Sequence, residues 1–232
     1  NTEAEAIRTR KRIATAADTH VLRFGATRTI GEFVMPECLA GWARDFPGAA
    51  ISMTVDNSDA LFRQLRLGEL DFLFVEGPFN RDDFTTDMLF RDSVVAVCRP
   101  DHRLAGHKGS PAVSIDEILG ETLIIREKGS GSRQLVESML AGNNRTVASF
   151  SRVLEIGNIG AMKRLAACGA GIAFLYERSV AEELSNGTLA RIYSGDLVLS
   201  HEYAFVCLKG CLFENEYRSF LEYCRMIGPG SR

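Results

Sequence analysis

The chain has 232 residues, of which 46% are hydrophobic and 25% are charged, with a mean hydropathy of -0.02. This composition is typical of a globular protein, and the length lies near that at which chains divide into two units. A net charge of -3 excludes a free-standing nucleic-acid binder, because phosphate contacts require a basic surface. No apolar run approaches the roughly 20 residues that cross a bilayer, so no membrane contact is predicted.

The N-terminal residues 1–20 are polar and do not have the pattern of a secretory signal peptide. The sequence also lacks a starting Met. We therefore expect a chain that was processed or is a piece of a longer protein.

The cysteines mostly fall in apolar stretches, which favours reduced, small core residues of a cytoplasmic protein. The spacing of Cys207 and Cys211, with His201 upstream, does not suit a zinc site. We predict no metal and no cofactor. The six cysteines are Cys38, Cys98, Cys168, Cys207, Cys211 and Cys224.

Strands and helices are predicted to alternate along the chain. The strands are at 21–26, 50–56, 71–76, 86–90, 93–98, 122–127, 150–156, 171–176, 189–193 and 199–208. The helices are at 30–45, 59–67, 115–119, 132–141, 158–168, 179–186 and 213–226. Such alternation predicts parallel sheets with helices on both faces.

Three of the predicted helices begin with a Ser/Thr-x-x-Glu capping box, in which two side chains satisfy the free backbone N–H groups. The pairs are Thr29 with Glu32, Ser114 with Glu117, and Ser179 with Glu182. Pro36 lies inside the first predicted helix, so it must kink that helix or mark a later start.

Two loops between a strand and a helix have the composition of an anion-binding cradle. One is Ala-Thr-Arg-Thr at 26–29 and the other is Gly-Ser-Gly-Ser-Arg at 129–133. Glycines allow close approach of the backbone, hydroxyls add donors, and the helix start adds free N–H groups. The candidate ligand-binding residues are Thr27, Arg28, Thr29, Ser130, Gly131, Ser132 and Arg133. Arg126 and Arg133 could instead pair with neighbouring acids.

The two halves also share a spacing, since three strands recur about 100 residues later, which indicates two lobes built on one plan. Ligands bind where strand ends meet helix N-termini. This edge adds the segments 57–59, 76–78, 157–158 and 176–177, and the candidates Ser58, Glu76, Gly77 and Asn158. For Asn57, Ser58 and Asn158, plain helix capping is the alternative.

No catalytic constellation is evident in the sequence. None of the four histidines has a nucleophile or a carboxylate at a meaningful spacing. Asp71 begins a predicted strand and Glu76 ends it, so the two carboxylates are too far apart to act as a pair. We therefore predict a binding protein and not an enzyme.

Four stretches together resemble the effector-binding domain of LysR-type transcriptional regulators. They are LRFGATRTIGEFVMPECLAGWARDFPGAAISM at 22–53, LRLGELDFLFVEGP at 65–78, REKGSGSR at 126–133 and EIGNIGAMKRLAACGAGIAFL at 155–175. The likeness covers about residues 21–227. It implies an α/β fold of two Rossmann-like lobes with a hinge and a central cleft, similar to type 2 periplasmic binding proteins. The pairing of VEGP with GSGSR is similar to the branch with sulfur-assimilation and carbon-fixation regulators.

The resemblance also implies how the chain is organised. Lobe one comprises 21–98 with 200–227, lobe two comprises 99–199, and the hinge lies near Arg99 and Ser200. Residues 1–20 would be a linker remnant, because the family's N-terminal winged helix-turn-helix does not fit before Val21. DNA binding is then expected of the whole regulator and not of these residues.

The expected function is that of a cytoplasmic ligand sensor that binds a small anionic effector in the cleft and acts as a homodimer or tetramer. The predicted helix at 32–46 supports assembly, since it offers more apolar surface than one core-facing stripe needs. Its apolar residues are Phe33, Val34, Leu39, Trp42 and Phe46. The alternative is a solute-binding protein of a transport system, but the oxidising compartment of such proteins suits six scattered cysteines poorly.

Overall fold

The computed structural model describes residues 21–107, 109–194 and 199–228, so the predicted linker remnant at 1–20 lies outside the described residues. The chain separates into two compact units. The described part of the first unit is 21–90 with 202–228, and the second unit lies within 91–201. No helix in the described ranges is long and apolar enough to cross a membrane.

The elements alternate as predicted. In chain order they are β1 (Leu22–Thr27), α1 (Arg28–Phe33), α2 (Met35–Asp45), β2 (Ile51–Asp56), α3 (Ser58–Arg66), β3 (Phe72–Glu76), β4 (Phe84–Cys98), α4 (Ile115–Leu119), β5 (Thr122–Ile125), α5 (Gly131–Gly142), β6 (Arg152–Glu155), α6 (Ile159–Ala167), β7 (Ile172–Tyr176), α7 (Ala181–Ser185), β8 (Ala190–Ile192), β9 (Leu199–Leu208) and α8 (Glu214–Ile227). Short 3-10 helices occupy Val147–Ser149 and Glu177–Val180. The strands predicted at 86–90 and 93–98 are one strand, β4.

Each unit is built on a mainly parallel sheet. In the first unit the strand order is β2-β1-β3-β9, with β1, β2 and β3 parallel and β9 antiparallel to β3. In the second unit β7, β5 and β6 are parallel neighbours, while β4 runs antiparallel to β7 and to β8. The prediction of parallel sheets is therefore confirmed for six strands, and the antiparallel strands were not predicted.

The helix starts show where local sequence patterns decide the structure. Val34 separates α1 from α2 and Pro36 lies in the first turn of α2, so the helix predicted at 30–45 is two helices, and of the two alternatives for Pro36 the start of a helix is the one observed. The capping box of Ser114 and Glu117 is also confirmed. The boxes beginning at Thr29 and Ser179 are wrong, because both hydroxyls bond to groups elsewhere.

An aromatic cluster forms one half of the first unit's core. Phe24 of β1 stacks on Phe72 of β3 with the ring planes 3° from parallel, and Phe220 of α8 packs against both rings. Trp42 of α2 meets Phe220 and Tyr223 of α8 edge-on. Each buried ring contributes about 1.5–3 kcal/mol to the free energy of unfolding. These ring contacts therefore hold α2 and α8 on the sheet.

The core uses part of the apolar surface of the helix predicted at 32–46. Val34, Trp42 and Phe46 are buried within their own unit. Phe33 and Leu39 are only half-buried, so part of the apolar surface of helix 32–46 lies outside the core, and the expectation that it faces a partner subunit stays a prediction.

The other face of the same sheet is covered by α3. Leu61 and Leu65 pack in one cluster with Leu73 of β3. Gly25 of β1 makes this close approach possible, since a Cβ there would lie 2.7 Å from side-chain atoms of Leu61 and Leu73. This packing holds the start of α3 beside the ends of β1 and β2.

The cysteines follow the prediction only in part. Cys38, Cys98, Cys207 and Cys224 are buried, which confirms their place in the core, but Cys168 is exposed and Cys211 is half-buried. Burial raises the pKa of the Cys98 and Cys207 thiols to about 12. In the described ranges no three His, Cys, Asp or Glu side chains are placed to hold a metal ion.

Candidate functional site

The carboxyl ends of β1, β2 and β3 meet at one edge of the first unit's sheet. Thr27, at the end of β1, lies opposite Asp56, at the end of β2. Glu76 ends β3, the other neighbour of β1. Because α1 and α3 begin directly after β1 and β2, two helix starts lie at this edge. The predicted residues Thr27, Arg28, Thr29, Ser58, Glu76 and Gly77 are therefore brought together.

A buried carboxylate dominates this edge. The Glu76 side chain is only 2% exposed, and Thr27 and Thr29 are equally buried. The Thr27 hydroxyl donates to Oε2 of Glu76, and the Thr29 hydroxyl donates to Oε1 over 3.2 Å. Both carboxyl oxygens of Glu76 thus have a hydroxyl partner, so the two threonines serve first to hold Glu76.

Arg28 extends from the first turn of α1 and pairs with Asp56 at 3.4 Å. Both side chains are about one-third exposed, which keeps the contribution of the pair to stability small. Asp56 was not among the predicted site residues. Its position at the end of a strand, directly before the helix-capping Asn57, is the signal that could have found it.

Ser58, the first residue of α3, is the unusual group at this edge. It is 5% exposed, and its Oγ has no hydrogen-bond partner among the described residues. The capping role belongs to Asn57, whose Oδ1 accepts from the backbone N–H of Ala60 over 3.0 Å. The capping alternative is thus confirmed for Asn57, and Ser58 does not act as the cap.

Gly77 turns the chain away from this edge after β3. Its φ of +88° lies in the left-handed region, where a side chain is strained. A glycine is therefore needed here for backbone geometry, whether or not a ligand contacts it.

The second unit carries its own polar helix start. Ser130 and Ser132 flank the first residue of α5, Gly131, and their hydroxyl oxygens lie 2.9 Å apart. All three residues are buried, and Ser130 makes no side-chain capping bond. The hydroxyls are placed beside the free backbone N–H groups that begin this 12-residue helix.

Arg133 and Arg126 follow the alternative reading, in which they pair with acids. The Arg133 guanidinium donates to Glu137 at 2.7 Å, to Glu155 at 2.6 Å and to the Arg126 carbonyl at 2.9 Å. Arg126 donates to both carboxylate oxygens of Glu127. Burial alone lowers the pKa of Arg133, but the bonds to the two acids outweigh it and raise the net pKa.

Asn158 is a helix cap in the structure. Its Oδ1 accepts from the backbone N–H of Ala161 over 2.8 Å at the start of α6. The capping alternative is therefore confirmed for its oxygen, and only the amide nitrogen is left for another role.

Comparison with known proteins gives the family. Residues 16–227 match the family model of the LysR substrate binding domain, and the chain belongs to this family. The HTH-type transcriptional regulator YeiE of Escherichia coli K12 is 28% identical over 207 residues, which are 89% of this chain and 68% of YeiE. The HTH-type transcriptional activator CmpR of Synechocystis is 27% identical over 198 residues, covering 85% of this chain and 63% of CmpR.

A solved structure shows the same fold. The regulatory domain of CcmR from Synechocystis PCC6803, in complex with 2-PG, is 25% identical and covers 90% of this chain and 97% of that chain, with a TM-score of 0.79. The predicted family and α/β fold class, that of LysR regulatory domains, are thus confirmed. The family consists of transcriptional regulators, and no enzymatic or transport role is indicated for this chain.

Proposed function

We propose that the chain senses a small effector for a LysR-type regulator, and that the effector binds at the edge formed by the ends of β1, β2 and β3. The main support for this site is that the Ser58 hydroxyl is buried without a hydrogen-bond partner among the described residues. Leaving such a group unsatisfied costs about 1–3 kcal/mol. A ligand group that bonds to Ser58 would remove this cost.

An acidic group on the effector suits Ser58. The hydroxyl is a donor, and the backbone N–H groups and the positive dipole end of the nine-residue α3 begin at the same residue. In the second unit, Ser130, Gly131 and Ser132 at the start of α5 are a separate candidate site for an acidic group. The CcmR regulatory domain was solved with 2-PG, and by likeness we propose a small acid here.

The regulatory consequence follows from differential binding. An effector that prefers one conformation shifts the population toward it, by no more than its difference in affinity for the two. We propose that this shift is passed to the winged helix-turn-helix domain of the whole regulator, which binds DNA in the cytoplasm as a homodimer or tetramer. Light scattering on this chain tests the pairing, and a strict monomer at tens of micromolar would count against it.

A screen of small acids by thermal shift, followed by calorimetry, tests the site. An effector at 100 times its Kd stabilises the protein by about 2.7 kcal/mol. Ser58→Ala should weaken binding about 10- to 150-fold, the value of one hydrogen bond to a charged group, without lowering the melting temperature of the free protein.

Ser219→Ala is the matched control. This hydroxyl lies on α8 of the same unit and donates to the Asn215 carbonyl of its own helix. Full affinity in the Ser58→Ala variant, equal to that of the Ser219→Ala control, would place the effector elsewhere.

A further inference from the structure

The hydrogen bonds that Thr27 and Thr29 make to Glu76 limit the kind of ligand that can bind at the first unit's edge. A threonine hydroxyl carries one hydrogen and two lone pairs. Thr27 and Thr29 each donate that hydrogen to Glu76, one to each carboxylate oxygen. Both hydroxyls can therefore only accept from a ligand, although threonines at a helix start are usually taken as donors to an anion.

The charges at this edge lead to the same conclusion. Glu76 is a buried carboxylate, and the Arg28 guanidinium is engaged with a second carboxylate, Asp56. A fully ionised group placed against Glu76 would meet a like charge with little water to screen it. A group with a hydrogen to donate would instead find the threonine oxygens and a negative field.

We infer that the effector is a small anion that also carries an O–H or N–H donor. Its acidic group meets Ser58 at the start of α3, and its donor group meets Thr27, Thr29 and the field of Glu76. The inference rests on the proposed function, since it presumes that this edge binds the effector. It makes Glu76 the residue that selects hydroxylated, ammonium-bearing or protonated anions over anions without a donor.

Matched pairs of probes test the inference on the unaltered protein. At pH 7 phosphate retains a proton and sulfate retains none, while lactate and alanine differ from propionate only by a hydroxyl or an ammonium group. Calorimetry should show that the donor-bearing member of at least one pair binds about tenfold or more tighter than its partner. Sulfate and propionate binding as tightly as their partners would overturn the inference. The phosphate and sulfate pair tests a donor on the acidic group itself. The two organic pairs test a hydroxyl or an ammonium group on the neighbouring carbon.

Glu76→Gln tests the residue itself, because the amide removes the charge and brings a donor of its own. The preference within the pair should fall about tenfold or more, and sulfate or propionate should gain affinity. Glu69→Gln is the matched control, an equal charge change at an exposed position before β3. An unchanged preference in a folded Glu76→Gln variant would overturn the role assigned to Glu76. If that variant does not fold, the matched probes on the unaltered protein still test the inference.

The two proposals fail in different ways. Ser58→Ala lowers the affinity for both members of a pair and so tests the site, whereas Glu76→Gln changes their ratio. If no probe binds the wild-type protein, the proposed function falls and this inference falls with it. If probes bind without regard to a donor group, only this inference is lost.

Discussion

The Tyr223 hydroxyl of α8 donates to Oδ2 of Asp45 at the end of α2, over 2.9 Å. The two residues are 178 positions apart in the chain. The bond lies beside the aromatic contact of Trp42 with Tyr223, so α2 and α8 are joined by both a polar and an apolar contact.

Tyr223→Phe should therefore destabilise the first unit while preserving the ring packing. The loss of a hydrogen bond to a carboxylate costs about 1–3 kcal/mol, measured by urea unfolding. A double-mutant cycle with Asp45→Asn isolates the pair, and an interaction energy near zero would show that the bond adds no stability.

Thr29→Val should lower the stability of the free protein, because it removes a donor from the buried Glu76 carboxylate. The expected cost is about 1–3 kcal/mol in thermal or urea unfolding. Thr29→Ser keeps the hydroxyl and is the control, which should restore most of the loss. Unchanged melting of the valine variant would mean that Glu76 does not depend on this hydroxyl. Thr27→Val should behave in the same way, because the Thr27 hydroxyl is the other donor to Glu76.

Arg133→Met should reduce the stability of the second unit and not act mainly through ligand affinity. The guanidinium is buried, but Glu137 and Glu155 are about half exposed, so we expect about 1–3 kcal/mol, less than for a fully buried pair. Arg145→Met breaks the exposed pair with Asp116 and is the control, with an expected cost of about 0–1 kcal/mol. Equal melting temperatures of the two variants, with effector binding lost only in Arg133→Met, would indicate that Arg133 binds the effector.

Asp87 makes stability depend on pH. It pairs with Arg218 at 2.9 Å and with Arg225 at 2.6 Å, which ties β4 to α8. Burial raises its pKa, but the hydrogen bond and charge of Arg225, together with Arg218, outweigh burial and hold the pKa below its usual value. A lowered pKa stabilises the folded state above about pH 4, and this stabilisation is lost as the pH falls through the folded pKa.

Asp87→Asn should thus cost about 1 kcal/mol at pH 7 and less at pH 3. Urea unfolding of both proteins at the two pH values measures the difference. A cost that is the same at both values would show that the carboxylate charge is not what holds α8 to β4.

Local sequence patterns predicted the elements well where the partners are close in sequence. The end of β9 at Leu208 matches the prediction, and Ser114 caps α4 through Glu117, three residues away. The Thr29 box is wrong because its hydroxyl finds Glu76, which lies 47 residues further along the chain. No pattern in the neighbouring residues indicates that a distant carboxyl group competes for this hydroxyl.

The same limit applies to the candidate site. Strand ends and helix starts identified Thr27, Ser58 and Glu76 from sequence, since the ends of parallel strands meet at one edge. Which hydroxyl donates to which group depends on distances between strands, and the sequence does not contain these. The hydroxyls of Thr27 and Thr29 were therefore expected to serve an anion, and the structure places their hydrogens on a carboxylate.

Trp42 is the only tryptophan in the 232 residues, and it lies within the aromatic core of the first unit. Its fluorescence therefore reports the melting of that unit, while circular dichroism follows the helices of both units. Recording the two signals in one denaturant titration measures the cooperativity between the units directly. Coincident midpoints would indicate that they unfold together, and separate midpoints would assign to the first unit the transition that fluorescence follows.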